Sequence, residues 1–149
     1  MNTILIDTNV LVYAHDRADC DKQQRAIETL DRLHLTGNGR LSAQSLGEFF
    51  RATTRGAAPL LTIADAALQV ERLAQAWPVL DVTPQVVLEA VRGASVHQFS
   101  LWDAQIWAAA RLNQIPLVFT EDIQAQAVVE GVRFVNPFAA GFRLEDWLA

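Results

Sequence analysis

The sequence predicts an α/β protein with a short parallel sheet layered between helices, and three observations carry that prediction. Thr3-Ile4-Leu5-Ile6 and Leu117-Val118-Phe119-Thr120 are apolar runs without alternation, the pattern of strands covered on both faces. Each runs straight into acid, Asp7 after the first and Glu121-Asp122 after the second. Helical patterns alternate with further short strand candidates between them, as crossover helices do in a parallel sheet. With 149 residues the chain has the length of one domain, 1–149, large enough to bury its own core.

From Thr8 to about Asp16 the pattern predicts a short helix. A second runs from about Asp19 through Leu35, with Ile27, Leu30, Leu33 and His34 on one side, and Thr36-Gly37-Asn38-Gly39 closes it. Arg40-Leu41-Ser42-Ala43 reads as a short strand leading into a helix from Ser45 that stops near Gly56 and Pro59. Thr62-Ile63-Ala64-Asp65 opens a helix with Ala66, Ala67, Val70, Leu73 and Ala74 as its apolar positions, ended by Trp77-Pro78. Val79-Leu80-Asp81-Val82 is the next strand, and Thr83-Pro84 starts a helix to about Ser95, since proline suits a first turn. Ser100 opens a strongly apolar helix through Leu112, after which Asn113-Gln114-Ile115-Pro116 delivers the chain into Leu117–Thr120. A last helix is expected over about Ile123 to Glu130, closed by Gly131, and then a strand over Arg133-Phe134-Val135. The tail, with Phe142, Leu144 and Trp147, is too apolar to stay in solvent and is expected to pack on the domain or on a partner.

Bulk properties narrow the function. Hydrophobic residues make up 51% and charged ones 19%, which excludes a disordered chain. No apolar run approaches the ~20 residues of a membrane span, and Met1-Asn2-Thr3 lacks the basic start of a secretory signal. Cys20 is the only cysteine, so an internal disulfide and a cysteine zinc cluster are excluded and a reducing cytoplasm is the expected address. The net charge of −5 argues against holding nucleic acid by bulk attraction. A nucleic-acid enzyme stays open, because bound divalent cations supply positive charge where a phosphate sits.

Four carboxylates share a setting. Asp7 and Asp122 follow buried strands, and Glu48 and Asp103 fall in the first turns of predicted helices. In a parallel sheet the strand carboxyl ends share one edge, so Asp7 and Asp122 can face the same crevice, and Glu48, just after the short second strand, can join them. A plainer account stands beside this one. Ser45-x-x-Glu48 and Ser100-x-x-Asp103 match the capping box, and acids favour first turns anyway. Asp7 is the costlier group, directly behind a buried strand. Several carboxylates in one pocket repel unless a cation lies between them, and oxygen-only ligands favour Mg²⁺ or Mn²⁺ over zinc. Such ions activate water and stabilise charge at a phosphodiester.

Rival chemistry is thin. His15, His34 and His97 have no ligand spacing, the serines lack a nucleophile-elbow context, and the seven glycines form no phosphate loop. Trp77, Trp102, Trp107 and Trp147 read as core or interface more than as base-stacking platforms. Arg51 and Arg55, one turn apart, are placed either to contact RNA phosphates or to form a solvated helix face.

The ordered set Ile6-Asp7-Thr8-Asn9-Val10, Leu46-Gly47-Glu48-Phe49, Leu101-Trp102-Asp103-Ala104, Thr120-Glu121-Asp122 and Val135-Asn136-Pro137-Phe138 resembles the PIN domain family. Within it the chain is similar to the small ribonuclease toxins of VapC-type toxin–antitoxin modules, over nearly its whole length. The resemblance implies a three-layer α/β/α fold with a short central parallel sheet (PIN-like) and Mg²⁺- or Mn²⁺-dependent endoribonuclease activity on single-stranded or loop RNA. It implies Asp7 and Asp103 as direct metal ligands, Glu48 completing the cluster or orienting water, and Asp122 holding a second metal or its waters. Thr8, Asn9 and Thr120 are implied as their hydrogen-bond partners, and a homodimer silenced by a small antitoxin protein as the assembly. One departure is Glu121, where the family often has a small polar residue. It leaves open which of Glu121 and Asp122 faces the metal, with register favouring Asp122.

Two other readings are weaker. A PIN-like protein kept for partner binding, catalytically silent, is opposed by the full acid set. An aspartyl phosphotransfer domain is opposed by Asn9, where dehalogenase-type phosphatases need aspartate, and by the lack of a late lysine, since Lys22 is the only one.

Overall fold

In a computed structural model that describes residues 1–123 and 127–149, the chain lays six strands side by side in the order β3-β2-β1-β4-β6-β5. The strands are β1 (Ile4–Ile6), β2 (Gly39–Ser42), β3 (Val79–Leu80), β4 (Leu117–Phe119), β5 (Val128–Val129) and β6 (Val132–Val135). All neighbours are parallel except β5, which pairs antiparallel with β6. The helices are α1 (Thr8–Tyr13), α2 (Cys20–Thr36), α3 (Ala43–Thr54), α4 (Ile63–Ala76), α5 (Pro84–His97), α6 (Leu101–Leu112) and α7 (Glu145–Leu148). None of the described helices is long and apolar enough to cross a membrane.

The unbroken apolar runs have the predicted cause. In β1, Leu5 joins one core with Ala90, Trp107, Val118 and Phe134, whereas Ile4 and Ile6 join another with Leu33, Leu41, Phe49 and Phe119. A helical layer covers each face, so β1 and β4 are apolar at every position. The α/β/α layering implied by the PIN-like resemblance is therefore present. Its central helix is α6, buried continuously from Ala104 to Ala110. Small side chains let α6 lie close to α5, where Gly93 accommodates the Trp107 ring: a Cβ there would sit 2.5 Å from Trp107 Cζ3.

Local signals set the element ends. Asp7, Asp19, Thr62, Thr83 and Ser100 each cap a helix N-terminus with a side-chain oxygen, and Gly37 closes α2 in the left-handed region at φ 73°.

Three expectations need correction. Ser42, not Ser45, caps α3, accepting from Gln44 N at 3.2 Å. The helix thus starts two residues early, Ser45 is buried, and Glu48 lies beyond the first turn, which removes its capping-box explanation. On α2 the buried residues are Ala26, Thr29 and Leu33, while Ile27 and His34 face outward, because the small residues fit nearest the sheet. The helix expected over Ile123 to Glu130 is not formed at its end: Val128–Val129 is strand β5, and Glu130-Gly131 turns it into β6. Both turn residues have positive φ, 47° and 86°, as a two-residue hairpin turn of type I′ demands. Residues 124–126 of that expected helix lie outside the described residues. The tail packs on its own domain, with Leu144 buried and Phe142 and Trp147 against the second core.

Candidate active site

β1 and β4 are neighbours in register, Ile6 beside Phe119, so the residues that follow them emerge together at the carboxyl edge. Asp7 caps α1 by accepting from Thr8 N at 2.7 Å through Oδ1. Its Oδ2 accepts from Thr120 Oγ1 at 2.8 Å. Only 5% of Asp7 is exposed, so the carboxylate cost anticipated from sequence is real and is offset by these donors.

Asn9 ties the edge together. Its Nδ2 donates to Thr120 Oγ1 and to Asp122 Oδ2, each at 3.1 Å, and its Oδ1 accepts from Glu121 N at 3.2 Å. Thr120 Oγ1 also accepts from Asp122 N at 3.1 Å, which sets the turn that presents Asp122. From α3, Glu48 accepts from Thr8 Oγ1 at 3.4 Å and from Gln44 Nε2. From α6, Asp103 stands half-buried in the first turn, its backbone N–H held by Ser100 Oγ at 3.1 Å.

The charges of these groups are felt mutually. Burial pushes the Asp7 pKa up from 3.8 to about 6, with the charges of Glu48 and Asp122 raising it further and the bonds from Thr120 and Thr8 N lowering it. Asp103 is also raised, first by burial and then by Asp122, against a lowering bond at Ser100. The charge of Asp122 is thus felt at both Asp7 and Asp103. Glu121, left open by the sequence, is committed elsewhere: it pairs with Lys22 and accepts from Tyr13 Oη at 2.7 Å.

The four acids fit a hard divalent cation in donor chemistry, all oxygen and partly starved of solvent. In grouping they are less complete: among the described residues no three His, Cys, Asp or Glu side chains are clustered as a ready ligand set. Beside them opens a cleft of about 850 Å³, lined among others by Thr8, Asn9, Arg51, Arg55 and Trp102; of the four acids Glu48 and Asp122 line it, whereas Asp7 and Asp103 do not. Arg51 and Arg55 are exposed along it, with no carboxylate partner among the described residues. Two glutamines were missed from sequence. Gln105 Nε2 donates to Gln44 Oε1 at 2.6 Å, and Gln44 Nε2 reaches both Glu48 and the Trp102 carbonyl, 3.1 Å away, so the pair joins α3 to α6 beside the acids. Their only prior signal was position, Gln44 one turn before Glu48 and Gln105 two residues after Asp103.

The sequence profile of the PIN domain matches residues 4–131. The chain belongs to the PIN domain family. No curated protein matches it in sequence. Solved structures with the same PIN fold include the DNA-bound VapBC of Salmonella typhimurium, 18% identical over 90% of this chain and 97% of that one, with a TM-score of 0.64. A toxin–antitoxin complex from Klebsiella pneumoniae is 19% identical over 91% and 98%, also at 0.64. VapC20 of Mycobacterium tuberculosis, a sarcin-ricin loop cleaving toxin, is 24% identical over 88% and 99%, at 0.62. At these identities the likeness of this PIN domain to them is one of fold.

Proposed function

We propose that this PIN domain is a Mg²⁺- or Mn²⁺-dependent endoribonuclease, the toxin of a type II toxin–antitoxin pair. The observation that supports the reading is the placement of Asp7 and Asp122 behind adjacent parallel strands, with Glu48 tied to Thr8 from α3 and Asp103 in the first turn of α6, beside an open cleft that Glu48 and Asp122 line. The neighbours support the biological half: VapC20 is a sarcin-ricin loop cleaving toxin, and the Klebsiella pneumoniae structure is a toxin–antitoxin complex. By the same analogy the partners are a cognate antitoxin, an RNA substrate and a second copy of the chain in a homodimer.

In this mechanism Asp7 and Asp103 would hold the ion directly, Asp122 would hold a second ion or its waters, and Glu48 would complete the cluster or orient water. A bound Mg²⁺ or Mn²⁺ supplies Lewis-acid stabilisation of the phosphate and a water of lowered pKa. Thr8 and Asn9 hold Glu48 and Asp122 at the cleft by the bonds described, and Thr120 fixes the Asp7 carboxylate by donating to its Oδ2. Glu48, held by Thr8 and Gln44 at the cleft wall, is placed to orient a water toward the phosphate. Arg51 and Arg55 receive the flanking phosphates along α3. Asp7 must be ionised to ligate, so protonation of its buried carboxyl competes with the cation and weakens metal binding as pH falls.

The test is expression of the protein without an antitoxin, with mapping of cellular RNA ends, and cleavage in vitro with Mg²⁺, Mn²⁺ or EDTA. Growth arrest with discrete new ends, lost in Asp7→Asn, is expected. Equal cleavage in EDTA would sink the metal mechanism, and unslowed growth with intact RNA would leave a partner-binding role instead.

A further inference from the structure

Of the four tryptophans, Trp102 alone is largely in solvent, 62% exposed, whereas Trp107 is fully buried and Trp77 and Trp147 pack on the second core. Its place is the cleft wall, one residue before Asp103. A large apolar ring held in water forgoes the burial that usually places it in a core. The surroundings are wrong for an apolar protein contact, because Glu48, Asp122, Arg51 and Arg55 share the cleft with it. The mount is firm, however: the Trp102 carbonyl accepts from Gln44 Nε2, the same amide that holds Glu48. The ring's backbone is thus registered to the acids.

A second observation comes from α3. Gly47 lines the same cleft inside a helix, where glycine ordinarily destabilises. Nothing in the fold asks for it: its φ is not positive, and a Cβ built there meets no atom within 4 Å. What its missing side chain preserves is open space in the cleft.

We propose that Trp102 is the stacking platform for an unpaired RNA base next to the cleaved phosphate, and that Gly47 keeps the slot for that base open. The proposal rests on the ribonuclease reading. It names the substrate as a single-stranded or looped RNA segment whose base is splayed out of pairing, the usual form in which proteins read RNA. An indole face supports any base, while the arginines take the adjoining phosphates.

The test uses an oligoribonucleotide that the wild-type protein cleaves, with steady-state kinetics and tryptophan emission. Trp102→Ala should raise KM by roughly five- to a hundredfold, the range set by loss of one base–aromatic stack, with kcat far less affected. Trp102→Phe should recover most of that loss. Gly47→Leu should raise KM similarly without lowering the thermal midpoint. Titration with the oligoribonucleotide should quench the emission of wild-type protein and leave Trp102→Phe nearly unquenched. An unchanged KM in Trp102→Ala, or full quenching in Trp102→Phe, would overturn the assignment. So would a shift in molecular mass on sedimentation of Trp102→Ala at constant KM, which marks a protein interface. A wild-type protein that neither cleaves nor is quenched removes the ribonuclease reading itself, whereas one that cleaves with an indifferent Trp102 removes only the platform.

Discussion

Thr120 Oγ1 donates to Asp7 Oδ2 across the ends of two adjacent parallel strands, and both side chains are buried. That bond keeps an ionised carboxylate tolerable where burial alone would protonate it.

Asp7 gives a pH dependence of stability whose sign can be fixed in advance. Its folded pKa of about 6 exceeds the ordinary 3.8, so the folded state binds the extra proton between those values. Stability from this group is full below about pH 4 and is lost as pH rises through 6. The rise is worth up to about 3 kcal/mol, at about 1.4 kcal/mol per pKa unit. In EDTA, urea unfolding should show Asp7→Asn gaining on wild type from pH 4 to 7.5. A constant gap across that range would contradict the assignment.

Thr120→Val removes a donor to Asp7 and the acceptor used by Asn9 and by Asp122 N. A loss of about 1–3 kcal/mol in denaturant unfolding is expected, as for a buried polar group stripped of its partner. With one lowering bond gone, the Asp7 pKa climbs, and the acid limb of the cleavage pH profile should move to higher pH. Thr120→Ser keeps the hydroxyl and should leave that limb in place.

The two adjacent acids should separate cleanly. Asp122→Asn is expected to cut metal-dependent cleavage by roughly ten- to a hundredfold, the scale of losing a group that orients a metal site. Glu121→Gln should change it little, because that carboxylate is spent on Lys22 and Tyr13. Comparable losses in both, measured at saturating Mg²⁺, would place Glu121 in the cluster after all.

Glycine-to-alanine changes should destabilise at two sites for different reasons. At Gly93 a new Cβ would press on Trp107, so the helix-propensity gain is overridden and about 1–3 kcal/mol is lost. At Gly131 there is room, but φ is 86°, so the cost is the left-handed backbone, roughly 1–2 kcal/mol. Thermal or urea unfolding of each variant reads both.

Much of the architecture was legible because its signals are local. An apolar run without alternation announces a covered strand, and the acid behind Ile6 or Phe119 announces the edge. The failures have equally physical causes. Val128-Val129 was absorbed into a helix because Gly131 serves equally as a helix stop and as the second residue of a type I′ turn, and only pairing with Arg133 and Val132 decides. Ser42 and Ser45 are both competent caps, and strand β2, by ending on Ser42, makes the choice. The outward turn of Trp102 left no trace in the pattern, since its neighbours Leu101 and Ala104 look as apolar as a core helix. That Asn9 would reach three residues more than a hundred positions away was beyond any local rule.

Lys22, the chain's only lysine, sits on Glu121 at the cleft margin. Apart from the N-terminus it is the single amine that an acylating reagent can find. Acylation there would erase one positive charge and return an unpaired carboxylate to the neighbourhood of Asp122. One covalent label at one known position is thus a chemical dial on the charge of the whole cleft, turned without altering a codon.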